Sequence, residues 1–175
     1  MGRSRQSSVG RNLLSTAKSD GRILVLGIGN VLMGDEGVGV HAIASLSREA
    51  WPPDVALLDG GTGGFQLLAC LREHETVVMI DATMDGQPPG TISVLRPRYA
   101  SDFPRSLTAH DIGLRDLVET TALLDRLPTI YLITVSIVEI RSMTLALSRE
   151  VEGALAGVRQ LVRELTRAAS ECVHA

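Results

Sequence analysis

Asp35 and Glu36 follow a glycine-rich turn, Asp59 and Asp81 each close an apolar run, and His110 stands just before a helical pattern. Two carboxylates and an imidazole, here Glu36, Asp81 and His110, can bind a divalent first-row metal and leave coordination positions open. A carboxylate beside such a metal can also accept a proton from attacking water. Each residue has a plainer role as well. Acids at strand ends cap helices or hold loops, and most histidines ahead of a helix are surface or cap residues. The residue types alone leave both roles open.

The first turn poses that choice most sharply. Its run is Ile23-Leu-Val-Leu-Gly-Ile-Gly-Asn-Val-Leu-Met-Gly-Asp-Glu-Gly-Val-Gly39. An apolar strand, a glycine turn and a helix resemble a nucleotide cradle, but Leu32 occupies the third glycine position of G-x-G-x-x-G. Phosphate seeks a helix N-terminus because the N–H groups and the dipole are positive there. Asp35 and Glu36 would repel it. They suit a cation, or they cap the helix. A dinucleotide-binding module, with Asp59 on the ribose, is therefore the weaker alternative. The other histidines add little: His41 follows Glu36 by five positions and shares no helix face with it, His74 sits in a charged turn, and His174 is in the tail. Neither H-E-x-x-H nor G-x-S-x-G occurs, so the usual zinc-protease helix and the hydrolase nucleophile elbow are both absent.

The elements that position these residues alternate. Ile23–Ile28, Val55–Leu58, Thr76–Ile80, Thr91–Leu95 and Thr129–Ile137 read as strands, being short apolar or β-branched runs bounded by turn residues. Asp35–Glu49, Phe65–Arg72 and Ile112–Leu124 read as helices, and Ser148 caps a final one with Glu150 and Glu152 early and Arg163 and Arg167 late, an order that suits the macrodipole. The alternation predicts a mostly parallel sheet with helices on both faces. In such sheets the functional crevice lies beyond the carboxyl ends of the strands. That rule selects Gly29–Glu36, Asp59–Gly64 and Asp81.

The bulk numbers narrow the class. The chain has 175 residues, enough for one domain with a full core, and is 45% hydrophobic. Only 3% is aromatic and the net charge is −3, so it lacks both the stacking faces and the basic footprint of a nucleic-acid binder. Cys70 and Cys172 have no C-x-x-C spacing and form neither a zinc cluster nor a disulfide framework; a reducing cytoplasm fits them. No apolar run approaches the roughly 18–20 residues that span a bilayer. Residues 1–21 are rich in Ser, Gly and Arg and lack a secretory apolar core. The expected organisation is a mobile extension over 1–21, a single α/β domain over 22–169 and a tail over 170–175.

Four stretches in this order, Gly27–Gly39, Asp59-Gly-Gly-Thr62, Ile80-Asp-Ala82 and Ala109-His-Asp-Ile-Gly-Leu114, closely resemble the nickel–iron hydrogenase maturation endopeptidases. The resemblance covers roughly Arg22 to Leu165 and implies a three-layer α/β/α domain with a twisted, mostly parallel five-stranded sheet. It implies cleavage of the C-terminal extension from the hydrogenase large-subunit precursor after nickel insertion. The family's metal-contacting residues fall on Glu36, Asp81 and His110, and its substrate-recognition loop on Asp59, Gly60, Gly61 and Thr62. Nickel would arrive with the substrate, and zinc or cadmium could take its place in vitro. By this match Glu36 faces the metal and Asp35 caps the helix. A monomer is expected, and a nickel-sensing chaperone that docks without cutting is the alternative. The chain departs from the family over Val135–Met143, where many members carry Pro-Glu and a glycine soon after.

Overall fold

Four apolar runs pair side by side and in parallel because each can be covered on both faces. The computed structural model of the chain describes residues 22–64, 67–104 and 127–173. Its strands are β1 (Ile23–Ile28), β2 (Val55–Gly61), β3 (Thr76–Thr83), β4 (Ile92–Leu95) and β5 (Thr129–Ser136), in the order β2-β1-β3-β5-β4. Only β4 runs antiparallel, on the edge beside β5. The described helices are α1 (Val38–Leu46), α2 (Leu68–Glu73) and α3 (Arg149–Val173).

Strand side chains alternate between the two faces. Leu24, Leu26, Val77, Met79, Ile130 and Leu132 pack with Leu71 of α2 and with Phe103. Val25, Val78, Ile80 and Ile133 pack on the other face against Val38, Ala42 and Leu46 of α1 and Val151, Val158 and Val162 of α3. The result is the expected three-layer, mostly parallel α/β/α sandwich. Burying each large aliphatic side chain contributes roughly 1.5–3 kcal/mol, so both layers hold the sheet firmly beneath its carboxyl edge.

The join between β1 and α1 is unusually close. A Cβ on Gly39 would lie 2.3 Å from the carbonyl oxygens of both Ile28 and Ile80. Real Cβ atoms do not approach backbone oxygens so closely, so only glycine lets α1 rest on β1 and β3 at this point.

Several boundaries differ from expectation, each for a local reason. The expected helix over Asp35–Glu49 is a 3-10 turn at Gly34–Gly37 followed by the shorter α1. Asp35 and Glu36 turn inward to bind backbone N–H groups elsewhere, which tightens the first turn. Trp51 Nε1 donates to the Leu46 carbonyl at 2.9 Å and closes the end of α1. β2 continues through Gly61, with a bulge that sets Gly27 against Asp59 but Ile28 against Gly61. β3 continues past Asp81 to Thr83. α3 runs past residue 170, where a tail is expected, to Val173, with Ser170 Oγ donating to Asp54 Oδ2 at 2.7 Å. The expected extension over 1–21, the helix over Ile112–Leu124, and Phe65, His110 and His174 lie outside the described residues. Among those described, no helix is long and apolar enough to cross a membrane.

Candidate active site

On the α2 side of the sheet, side chains at every second position change character toward the carboxyl ends. Along β3, Val77 and Met79 give way to Asp81 and Thr83; along β5, Ile130 and Leu132 give way to Thr134 and Ser136. All four polar residues are buried, Asp81 to 1% exposure. Register sets Asp81 beside Thr134 and Thr83 beside Ser136. Burial of a carboxylate is costly unless polar groups surround it, and this polar end of the face supplies them. Asp81 Oδ1 accepts the N–H of Ala82 at 2.7 Å. Thr83, Thr134 and Ser136 are absent from the expected set, although the switch from apolar to polar is readable at period two.

Glu36 reaches the same edge from the 3-10 turn, which packs against β3. It is 2% exposed, and its Oε2 accepts the N–H of Asn30 at 2.5 Å. Gly29, at φ 136°, makes this possible, since a Cβ there would lie 2.1 Å from the Glu36 carbonyl oxygen. Backbone therefore fills the hollow of the turn. Glu36 and Asp35 thus stand buried at the turn where a dinucleotide would set its pyrophosphate, and their charge disfavours that ligand.

Asp35 has a different task from the expected cap. Neither the 3-10 turn nor α1 carries a side-chain cap bond. Instead Asp35 Oδ1 accepts the N–H of Ser148 at 2.6 Å. Ser148 in turn caps α3 as expected, its Oγ accepting the N–H of Val151 at 3.5 Å. The expected cap is therefore not formed: Asp35 ties its turn to the start of α3 instead.

Asp59 is exposed, and its Oδ1 accepts the N–H of Gly61 at 2.9 Å. Gly29 N–H donates to the Gly61 carbonyl at 2.9 Å, which joins the Asp59–Thr62 stretch to the Glu36 turn. The structure therefore brings Glu36, Asp81 and the Asp59 stretch to one edge. His110 lies outside the described residues, and among those described no three His, Cys, Asp or Glu side chains gather into one cluster. The two carboxylates offer hard oxygen donors that suit a divalent cation carrying further ligands of its own.

On the far side of the turn, Met33 pairs with Thr144 in a short parallel bridge. Next to it Met143 adopts φ 59°, a left-handed conformation that costs a side-chain-bearing residue about 1–2 kcal/mol. Cys70, on α2, is no candidate nucleophile: partial burial and then the Glu73 carboxylate push its thiol upward, away from the reactive thiolate. A cavity of about 1220 Å³ opens at the opposite, amino end of the sheet, between Trp51–Val55 and Arg163–Ser170 of α3, and shares no residue with the acidic edge.

The family model described as hydrogenase maturation protease matches residues 40–165, a stretch that begins just after Glu36 and includes Asp59, Asp81 and His110. A hydrogenase expression/formation protein, HupD of Bradyrhizobium diazoefficiens, is 38% identical over 120 residues, covering 66% of this chain and 62% of the relative. The hydrogenase 2 maturation protease of Escherichia coli is 37% identical over 100 residues, covering 55% of this chain and 61% of that protein. The chain thus spans about three-fifths of the length of these two relatives. Among solved structures, the hydrogenase maturating endopeptidase HybD from Escherichia coli superposes with a TM-score of 0.78 at 29% identity, covering 85% of this chain and 93% of that one. The maturation protease HybD from Thermococcus kodakarensis gives 0.69 at 27%, covering 82% and 98%.

Proposed function

This chain belongs to the hydrogenase maturation protease family, and from that premise we propose that it is the endopeptidase that removes the C-terminal extension of a nickel–iron hydrogenase large-subunit precursor once nickel is in place. The observation that carries the reading is the placement of two buried carboxylates, Glu36 and Asp81, at the carboxyl edge of neighbouring strands. Such an edge is where an open α/β sheet takes its ligands.

Two carboxylates and one imidazole make a modest nickel site, and thiolates are softer and stronger donors. The metal is therefore cargo of the substrate, and the enzyme's ligands complete its shell on docking. Nickel held there would supply Lewis acidity toward the scissile carbonyl or toward water, or would only position the substrate. Glu36 meets the metal, held in place by the Asn30 N–H. His110 is the third ligand. Asp81 accepts the proton of the attacking water. Asp59, Gly60, Gly61 and Thr62 read the precursor. Zinc or cadmium substitutes at the same donors in vitro, and the enzyme works as a cytoplasmic monomer.

The test uses purified protein and nickel-loaded precursor, with the mass of the large subunit as readout. Wild type is expected to shorten the precursor. Asp81→Asn is expected to slow cleavage by about 10²–10⁴-fold, the usual worth of a positioned acid–base group, and Glu36→Gln and His110→Ala are expected to slow it by removing metal ligands. A precursor left intact by wild type would instead identify a docking chaperone that does not cut.

A further inference from the structure

Six of the eight large apolar side chains that stand exposed among the described residues share one place. They are Leu32, Met84, Val138, Ile140, Met143 and Leu145, all on segments just past the carboxyl ends of β1, β3 and β5. Scattered exposed aliphatics are ordinary, but a gathering of them marks a contact surface.

Three further observations give this rim a direction. First, it is continuous with the acidic turn: Thr144 N–H donates to the Leu32 carbonyl at 3.1 Å, and Gly34 N–H donates to the Thr144 carbonyl at 2.7 Å, two residues from Glu36. A peptide that approaches Glu36 from the side of this segment crosses it. Second, Met143 is 86% exposed yet held at φ 59°. A glycine would take that backbone without strain, so among the described residues the side chain is kept in a costly conformation with little packing to offset it. Strain of this kind gathers at ligand clamps, and an unbranched thioether adapts to a partner's shape. Third, the only charged residues of the 138–145 segment, Glu139 and Arg141, pair with each other at 2.8 Å. That segment therefore carries no net charge and complements an apolar partner, not an ionic one.

We propose that this rim is the docking surface for the precursor segment that flanks the scissile bond, taken as an extended chain with apolar side chains. The proposal rests on the peptidase reading above and adds to it the surface that sets affinity.

The experiment compares wild type with Met143→Gly and with the double variant Val138→Ser/Ile140→Ser, using the nickel-loaded large-subunit precursor from the same organism. Cleavage kinetics and thermal unfolding are measured on each. Met143→Gly is expected to raise the melting temperature, because the strain is gone, and to raise KM at least fivefold, with the loss falling on KM and not on kcat. The double variant is expected to raise KM similarly while it unfolds at the wild-type temperature. Unchanged KM in both variants, alongside active wild type, overturns the docking surface and leaves the peptidase reading intact. Wild type that does not cut overturns the peptidase reading instead. The rim is then judged by direct binding of the same precursor: weaker binding by the variants supports it and equal binding overturns it.

Discussion

Asp35 Oδ1 accepts the backbone N–H of Ser148 at 2.6 Å, across 113 positions of sequence. This one bond ties the turn that carries Glu36 to the first residue ahead of α3. Glu36 is thereby positioned from both sides, by Asn30 within the turn and by α3 behind it. Replacing Asp35 with Ala strands a partly buried N–H. The expected loss is about 1.5–3 kcal/mol of unfolding free energy, the range for a bond to a charged acceptor. Urea denaturation measures it, and a variant as stable as wild type would show that the bond holds nothing.

Gly39 and Gly153 give a matched pair. At Gly39 an added methyl would meet the carbonyl oxygens of Ile28 and Ile80 at 2.3 Å, whereas at Gly153, on α3, it would meet nothing within 4 Å. Gly39→Ala is expected to destabilise by at least about 1–3 kcal/mol, as overpacking does. Gly153→Ala is expected to stabilise by about 0.5–1 kcal/mol, through helix propensity alone. Melting temperatures that move the same way for both would contradict the account of the β1–α1 contact.

Thr134 lies beside Asp81 in the sheet and is 2% exposed. Thr134→Val keeps the shape and the β-branch while removing the hydroxyl from the surroundings of that carboxylate. The fold is expected to survive and kcat to fall about tenfold, a difference of about 1.4 kcal/mol in the barrier, with KM unchanged. Wild-type turnover in this variant would remove Thr134 from the positioning of Asp81.

Cys70 has its thiol pushed above the ordinary range by partial burial and by Glu73. The neutral thiol is poorly nucleophilic, so alkylation should be slow at neutral pH and accelerate only as pH rises beyond the usual thiol range. Iodoacetamide titration in a Cys172→Ser background isolates this group. Fast alkylation at pH 7, or loss of cleavage once Cys70 is blocked, would bring a cysteine into the mechanism.

Much of this was legible in the chain. The apolar runs that became β1, β3 and β5 needed only length and β-branching to be read, and the sheet order then placed Glu36, Asp59 and Asp81 along one edge. What escaped was tertiary. Asp35 looks like a helix cap because its partner, Ser148, is remote in sequence, and no local pattern announces such a bond. The turn is 3-10 where Glu36 takes the N–H of Asn30 and Asp35 takes that of the remote Ser148, bonds that propensity does not weigh. β2 reached Gly61 because pairing with β1 through a bulge outweighed the turn chemistry of two glycines. Thr83, Thr134 and Ser136 were readable in principle, as polar residues at period two after apolar ones, but they carry no motif. His110, which completes the proposed set, lies outside the described residues and rests on its motif alone.

The central claim is that the carboxylates of Glu36 and Asp81 complete a metal site that the substrate brings with it, so that cleavage waits for nickel. The most direct measurement incubates the purified enzyme with nickel-loaded and with nickel-free precursor and reads the large-subunit mass in each. The account predicts a shortened subunit only from the nickel-loaded precursor. Equal shortening of both would contradict it.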